Sequence, residues 1–267
     1  METKKMVIYF GAAGAGLAYC QHSGKMPDIF VDNDPNKWGT SINGVKIMAP
    51  NILTSISLQQ IIITSGYCQD IHKQILSFGI DQDKIHIPPK SLLIPHLFEQ
   101  VENRIQTAGK LFKIMAALSD RWNVVSVGGT ALGFVRGNDF IHWDSDIDLF
   151  APIESRPALF DIMQELGYEP EYESESLKAT VLLENGVKIP LSVEFFHTNS
   201  STFIDRFQDY TWEWPTQMFT QCAKVDVHGN MLNVPNPPEE YLSKVFGTSW
   251  AVPNPEFCYS DYTGTVS

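Results

Sequence analysis

Three aspartates, Asp144, Asp146 and Asp148, alternate with Ser145, Ile147 and Leu149 in the stretch WDSDIDLF. On a strand this spacing puts all three side chains on one face. Like charges so close are unfavourable unless cations lie between them. Asp146 and Asp148, at i and i+2, are suited to hold Mg²⁺ or Mn²⁺, hard ions that prefer oxygen. Two such ions about 3.5–4 Å apart can clamp the attacking and leaving oxygens of a phosphoryl-type transfer. Just upstream, Gly128, Gly129 and Thr130 follow the β-rich run VVSV and precede a helical pattern. That turn offers amides, a hydroxyl and a helix N-terminus to phosphate oxygens. Arg136 is the bidentate partner expected for a diphosphate, with Asp144 beside it on the nucleotide side. Glu194, a lone acid in the apolar strand pattern PLSVEFF, is costly unless paired or metal-bound. It is read as a third metal ligand with Asp146 and Asp148, or as the base that activates an acceptor hydroxyl. His142 reads as a surface pair or a core hydrogen bond, and Trp143 and Trp250 are the two tryptophans placed near a nucleotide base.

A second, weaker pattern lies near the start. Gly11, Gly14 and Gly16 sit between an apolar strand and a helix in GAAGAG, and Asp32 ends the next strand. Glycines there let helix amides approach a phosphate, and an acid in that position suits a ribose. The spacing G-x-x-G-x-G departs from the usual fingerprint, so the glycines serve a tight turn equally well. Any ligand of this module is expected to be a nucleotide or nucleotide-sugar rather than a redox cofactor.

The elements that carry these residues fall into two groups. The first ninety residues alternate strand and helix, which predicts a small parallel-sheet, Rossmann-like module. Expected strands are 6–10, 28–31, 60–64 and 84–87, with helices from Leu17 and over 69–78. Pro88, Pro89 and Pro95 then punctuate the chain. Helical spacing of Leu97, Val101, Ile105, Leu111, Met115 and Leu118 follows. The expectation is therefore an α/β chain: a module at 1–95 and an α+β, mixed-sheet catalytic domain at 96–267.

Composition narrows the function. Of the formal charge of −12, none arises in residues 1–100, which carry eight lysines and eight acids. Residues 101–267 carry eleven Lys/Arg against twenty-three Asp/Glu. An acidic domain repels a phosphate backbone, which argues against nucleic-acid binding. A phosphate ligand stays compatible if metal ions supply positive charge. No apolar run reaches the roughly 20 residues of a membrane span, and the opening METKKMVIYF is too short for a secretory signal. Cys20, Cys68, Cys222 and Cys258 are scattered without a C-x-x-C pair. That argues against a disulfide framework or zinc site and fits a reducing cytoplasm.

The stretch GGTALGFVRGNDFIHWDSDIDLF resembles the LicD family, whose core reads roughly G-T-L-L-G-x-x-R and then W-D-D-D-I-D. The later PPEEYLSKVFGTSWAVP is similar to that family's closing motif of tyrosine-leucine, glycine, tryptophan and proline. The resemblance spans about residues 105–255. It implies a nucleotidyltransferase-like fold and transfer of a phospho-alcohol, of the phosphocholine or polyol-phosphate type, from a CDP-linked donor to a glycan hydroxyl. CMP is then released, and the expected partners are a CDP-alcohol or other nucleotide and a glycan of surface polysaccharide synthesis. Ser145 stands where the family usually has an acid, and the leading module is not a general family feature. VDNDPNKWGTSINGVKIMAP in that module resembles Rossmann-like modules of nucleotide-sugar enzymes. Two other readings remain: NMP transfer from an NTP with release of pyrophosphate, and a catalytically silent ligand sensor.

Overall fold

The structure, a computed structural model, describes residues 4–266. The described residues form two compact units: 4–95 with 254–261, and 96–253 with 262–266.

In the first unit, β1 (Met6–Phe10) leads through the glycine turn into α1 (Gly14–Ser23). Then come β2 (Ile29–Val31), β3 (Ser41–Ile42), β4 (Val45–Met48), β5 (Leu58–Ile63), α2 (Cys68–Ser77) and β6 (Ile85–His86). The sheet runs β3-β4-β2-β1-β5-β6, parallel except for the β3–β4 pair. Alternation splits its side chains between two apolar layers. Ile8, Phe10, Ile61 and Ile63 join Ile71 and Ile75 of α2 on one face. Tyr9, Phe30 and Ile62 join Tyr19 of α1 on the other. Residues 254–261 were expected in the second domain but pack in this unit. The Lys90 N–H donates to the Phe257 carbonyl, Ser91 Oγ donates to the Pro255 carbonyl, and the Tyr259 ring touches both layers.

The second unit is α+β. Its elements are α3 (Val101–Leu118), β7 (Val125–Ser126), α4 (Gly128–Gly137), β8 (Ile147–Pro152), α5 (Arg156–Glu165), β9 (Glu171–Glu173), β10 (Ser176–Leu182) and β11 (Lys188–Phe196). There follow β12 (Thr202–Phe207), β13 (Tyr210–Pro215), α6 (Gln217–Thr220), β14 (Ala223–Val227), β15 (Asn230–Val234), α7 (Pro238–Phe246) and β16 (Thr265–Val266). The main sheet is mixed, in the order β7-β8-β11-β10-β9, with β8 parallel to β11 and the other pairs antiparallel. Ile147, Leu149, Leu191, Val193, Leu177 and Val181 form one face and are buried in the core. The opposite face carries Asp148, Ser192, Glu194, Ser176 and Lys178. β12, β13 and β16 form a separate antiparallel sheet, and β14–β15 a hairpin.

Helix α3 buries Leu111, Ile114, Met115 and Leu118, the i, i+3, i+4, i+7 stripe of an amphipathic helix. Its first turns differ from the expected pattern: Val101 and Ile105 are exposed, and Asn103, Arg104 and Thr107 are buried instead. The reason is polar. Arg104 Nε donates to Asp139 Oδ2 at 2.9 Å and Nη1 donates to the Phe98 and Glu99 carbonyls. His228 Nε2 lies 2.7 Å from Asp139 Oδ1. The segment between α4 and β8 is thereby tied to α3 and to the β14–β15 turn. Among the described residues, no helix is long and apolar enough to cross a membrane.

Candidate active site

Helix α4 starts at Gly128, whose φ of +54° is left-handed and suits glycine. A Cβ on Gly128 would lie 3.4 Å from Asp148 Oδ2, and one on Gly129 only 2.6 Å from Asp144 Oδ2. The paired glycines thus let the helix start press directly against two carboxylates. Asp148 is held from three sides. Its N–H donates to Thr130 Oγ1, its carbonyl accepts from the Val127 N–H, and its Oδ1 accepts from Ser192 Oγ at 2.7 Å. At the family-like closing motif, the buried Tyr241 hydroxyl accepts the Gly128 N–H at 2.9 Å. Burial, then the nearby Asp205 carboxylate, push its own ionisation well above the usual phenol range.

Several expectations change here. β8 begins only at Ile147, so the three aspartates do not share one strand face. Asp144 precedes the strand, is 7% exposed and faces Gly129, with its Oδ1 accepting the Ser145 N–H. Asp146 is half-buried, and its carboxylate makes no hydrogen bond or ion pair among the described residues. Thr130 is 3% exposed and its hydroxyl serves the Asp148 amide, so it positions a carboxylate rather than meeting a phosphate. Arg136 is half-buried in the last turn of α4, roughly 10 Å along the axis from Gly129. Burial lowers its guanidinium pKa, and no acid partners it among the described residues. His142 makes the surface pair, 3.6 Å from Asp139. Trp250 packs on the unit's core and Trp143 is half-buried.

Glu194 stands on the same sheet face as Asp148, paired with Phe150 where Ser192 pairs with Asp148. Solvent still reaches it, yet the protein crowded around it removes much of its hydration. Burial, then Asp205 and Asp148, push its carboxyl up to about 7. Its carboxylate, too, makes no hydrogen bond or ion pair among the described residues.

Asp205 was not foreseen. It sits on the inward face of β12 between Phe203 and Phe207, opposite Trp212, and accepts from Trp214 Nε1 at 3.2 Å. Burial, eased by that indole bond but reinforced by Asp148, raises it to about 6. The available signal was an isolated acid in the strand pattern TFIDRF, and the aromatic partner strand supplied the rest.

The expected cage of Asp146, Asp148 and Glu194 is not preformed. Among the described residues no three His, Cys, Asp or Glu side chains are placed to hold a metal by themselves. Glu194 lies one register step beyond Asp148, and Ser192 already occupies Asp148 Oδ1. The donors nonetheless fit Mg²⁺, which usually takes one or two carboxylates and completes its shell with water and substrate phosphate.

In the first unit the glycine turn serves itself. A Cβ on Gly11 would fall 2.1 Å from the Thr64 carbonyl, and one on Gly16 2.4 Å from the Gly11 carbonyl. Asp32 is not free for a ribose: it accepts the Ala12 and Asp34 amides and an ion pair from Lys37 at 3.0 Å. Burial opposes its ionisation, but these bonds outweigh it and hold the carboxyl below its usual range. Of the three turn glycines, Gly14 alone has open space where a side chain would be.

Comparison with known proteins agrees with this division. Residues 123–237 match the LicD/FKTN/FKRP nucleotidyltransferase domain, and residues 3–86 match the C2185-like N-terminal domain. No curated protein matches the chain. Among solved structures, ANT(2″)-Ia in complex with adenylyl-2″-tobramycin is 20% identical, covering 48% of this chain and 68% of that one, with a TM-score of 0.35. The lincosamide antibiotic adenylyltransferase LnuA, lincomycin-bound, is 11% identical over 48% and 78%, with a TM-score of 0.34. UDP-D-quinovosamine 4-dehydrogenase from Vibrio fischeri is 24% identical over 32% and 76%, with a TM-score of 0.24. Within the second unit, residues 123–237 are thus similar to a LicD-family nucleotidyltransferase domain, a likeness that supports a nucleotide-transfer or phosphotransfer type of activity, and residues 3–86 are similar to a C2185-like N-terminal domain.

Proposed function

We propose that the protein is a cytoplasmic, Mg²⁺- or Mn²⁺-dependent transferase that moves a phospho-alcohol from a CDP-linked donor to a glycan hydroxyl in surface polysaccharide synthesis. The observation that carries this reading is the sheet face that sets Glu194, a carboxyl without a hydrogen bond and with its proton affinity raised first by burial, one register step from Asp148. A carboxyl with raised proton affinity and no hydrogen bond of its own is suited to take a proton from a hydroxyl. Asp146 and Asp148 would hold the ion, which when bound sets positive charge against the donor diphosphate. Glu194 takes the acceptor hydroxyl proton as that oxygen forms a bond to the phosphorus bearing the alcohol. The bond from that phosphorus to the bridging oxygen breaks, CMP leaves with the electron pair, and Glu194 returns its proton to solvent. Asp205 keeps the proton affinity of Glu194 high, and Gly128 and Gly129 set the helix start beside the reacting phosphates.

Phosphorus NMR of the protein with Mg²⁺ and a CDP-alcohol panel, or with the four NTPs, tests this against nucleotide transfer. CMP release in the presence of a sugar acceptor is expected, and Asp146→Asn and Asp148→Asn should each reduce it by at least about a thousandfold without unfolding the chain. Pyrophosphate from an NTP, with no CMP from any CDP-alcohol, would overturn the reading. No turnover of either kind would favour a silent domain.

A further inference from the structure

The polar face of the main sheet carries two lysines, Lys178 and, paired with Leu182 at the far end of the two strands, Lys188. Lys178 of β10 pairs with Ser192 of β11, which in turn pairs with Asp148 of β8. Paired residues share a face, so Glu171 of β9, Lys178, Ser192 and Asp148 form one row across four strands. Ser176 and Glu194 form part of the next row. Lys178 is half-buried, and its ammonium makes no ion pair within 4 Å and no hydrogen bond among the described residues. It is near enough to Glu194 to act on that carboxyl electrostatically, without pairing with it. Glu171, across the strand pair on β9, stays beyond 4 Å, so the ammonium has no anion in direct contact.

Its position shows which substrate it would meet. The strand order β7-β8-β11-β10 puts the α4 start and Asp148 on one side of Glu194 and Lys178 on the other. At about 4.8 Å per strand, Lys178 lies roughly 10 Å across the sheet from Asp148. Donor phosphates belong at the glycines. A molecule whose hydroxyl reaches Glu194 from the far side lies over β10.

We propose that Lys178 binds an anionic group of the acceptor, a phosphate or a carboxylate, so that the glycan accepting the phospho-alcohol is an acidic or phosphorylated sugar. This rests on the assignment of Glu194 to the acceptor side. In the row, Ser192 holds Asp148 and Lys178 holds the acceptor, each one strand from the other.

Binding, rather than turnover, separates this from the transfer reaction itself. Glucose 1-phosphate, glucuronate and glucose are titrated against the full chain by isothermal calorimetry in EDTA, where no divalent ion can hold the anion. One or both anionic sugars should bind at least about tenfold more tightly than glucose, the effect expected of one charge-assisted hydrogen bond. The two anionic probes tell a phosphate source from a carboxylate source. Lys178→Met should bring them down to the level of glucose, and Lys178→Arg should retain most of the preference. Both variants should keep the wild-type melting temperature. Equal binding of glucose and both anions, no binding of any probe to wild type, or an unchanged preference in Lys178→Met would each overturn the proposal. If the preference holds while no CMP is released from any CDP-alcohol, the anion site stands and the proposed reaction falls.

Discussion

Tyr241→Phe removes one oxygen from a fully buried ring and nothing else. The ring packs 4.8 Å from Trp214 and 6.1 Å from Phe219, centroid to centroid, and phenylalanine fills the same space. What goes is the acceptor for the Gly128 N–H, the amide that opens α4 beside Asp148. A partly buried amide left without a partner costs about 1–3 kcal/mol, and water reaching part of the site would place the loss toward the lower end. In a unit of this size each kcal/mol moves the melting temperature by about 2–4 °C, so a fall of roughly 2–8 °C is expected. Urea unfolding should show a lower midpoint with an unchanged slope, because the surface exposed on unfolding is the same. Tyr241→Leu, which also loses ring packing, should fall further. A Tyr241→Phe midpoint equal to wild type would mean that the Gly128 amide has another partner and that the motif tyrosine is there only as a ring.

Two further outcomes can be measured directly. Asp139 is opposed by burial but held ionised by His228, the Phe140 amide and Arg104, which together keep its carboxyl below the usual range. A lowered folded value stabilises above the unfolded pKa of about 4 and is lost as pH falls through the folded value. Asp139→Asn, which leaves the 8%-exposed Arg104 without its acid, should therefore cost about 3–5 kcal/mol at pH 7. The gap to wild type in urea titrations should narrow below pH about 4. In the first unit Gly16→Val should unfold the module, since its Cβ would meet the Gly11 carbonyl at 2.4 Å. Gly14→Ala should be neutral or stabilising by up to about 1 kcal/mol, and circular dichroism melts of the two variants check the contrast.

The site was legible where chemistry and chain adjacency coincide. Asp148 and the Gly128-Gly129 turn could be placed from eighteen to twenty residues of local sequence, because a strand, a tight turn and a helix start are local events. Glu194 could be named from its cost in an apolar strand. Asp144 was misplaced because alternation was extended three residues ahead of a strand that begins at Ile147. The role of Thr130 was hidden since its bond to the Asp148 amide depends on how the start of α4 packs against β8, not on residue types. Asp205 and Lys178 needed strand register, which residue types alone do not specify when both faces of a strand carry polar groups. In the first unit the four expected strands match β1, β2, β5 and β6 to within two residues, and the glycine turn was left between a phosphate cradle and a tight turn. Its amide at Ala12 is filled by the acid that was expected to face a ribose.

The return of residues 254–261 to the first unit orders events during synthesis. β1 to β6 emerge first, but the segment that brings Phe257 to Lys90 and Tyr259 to both apolar layers follows the intervening 96–253. At about 5–20 residues per second that wait lasts roughly 8–30 seconds. For that interval a nascent chain displays an unfilled seat for a tyrosine. A chain cut after residue 253 would display it permanently, and a fragment ending at residue 95 is likewise a module with a piece missing.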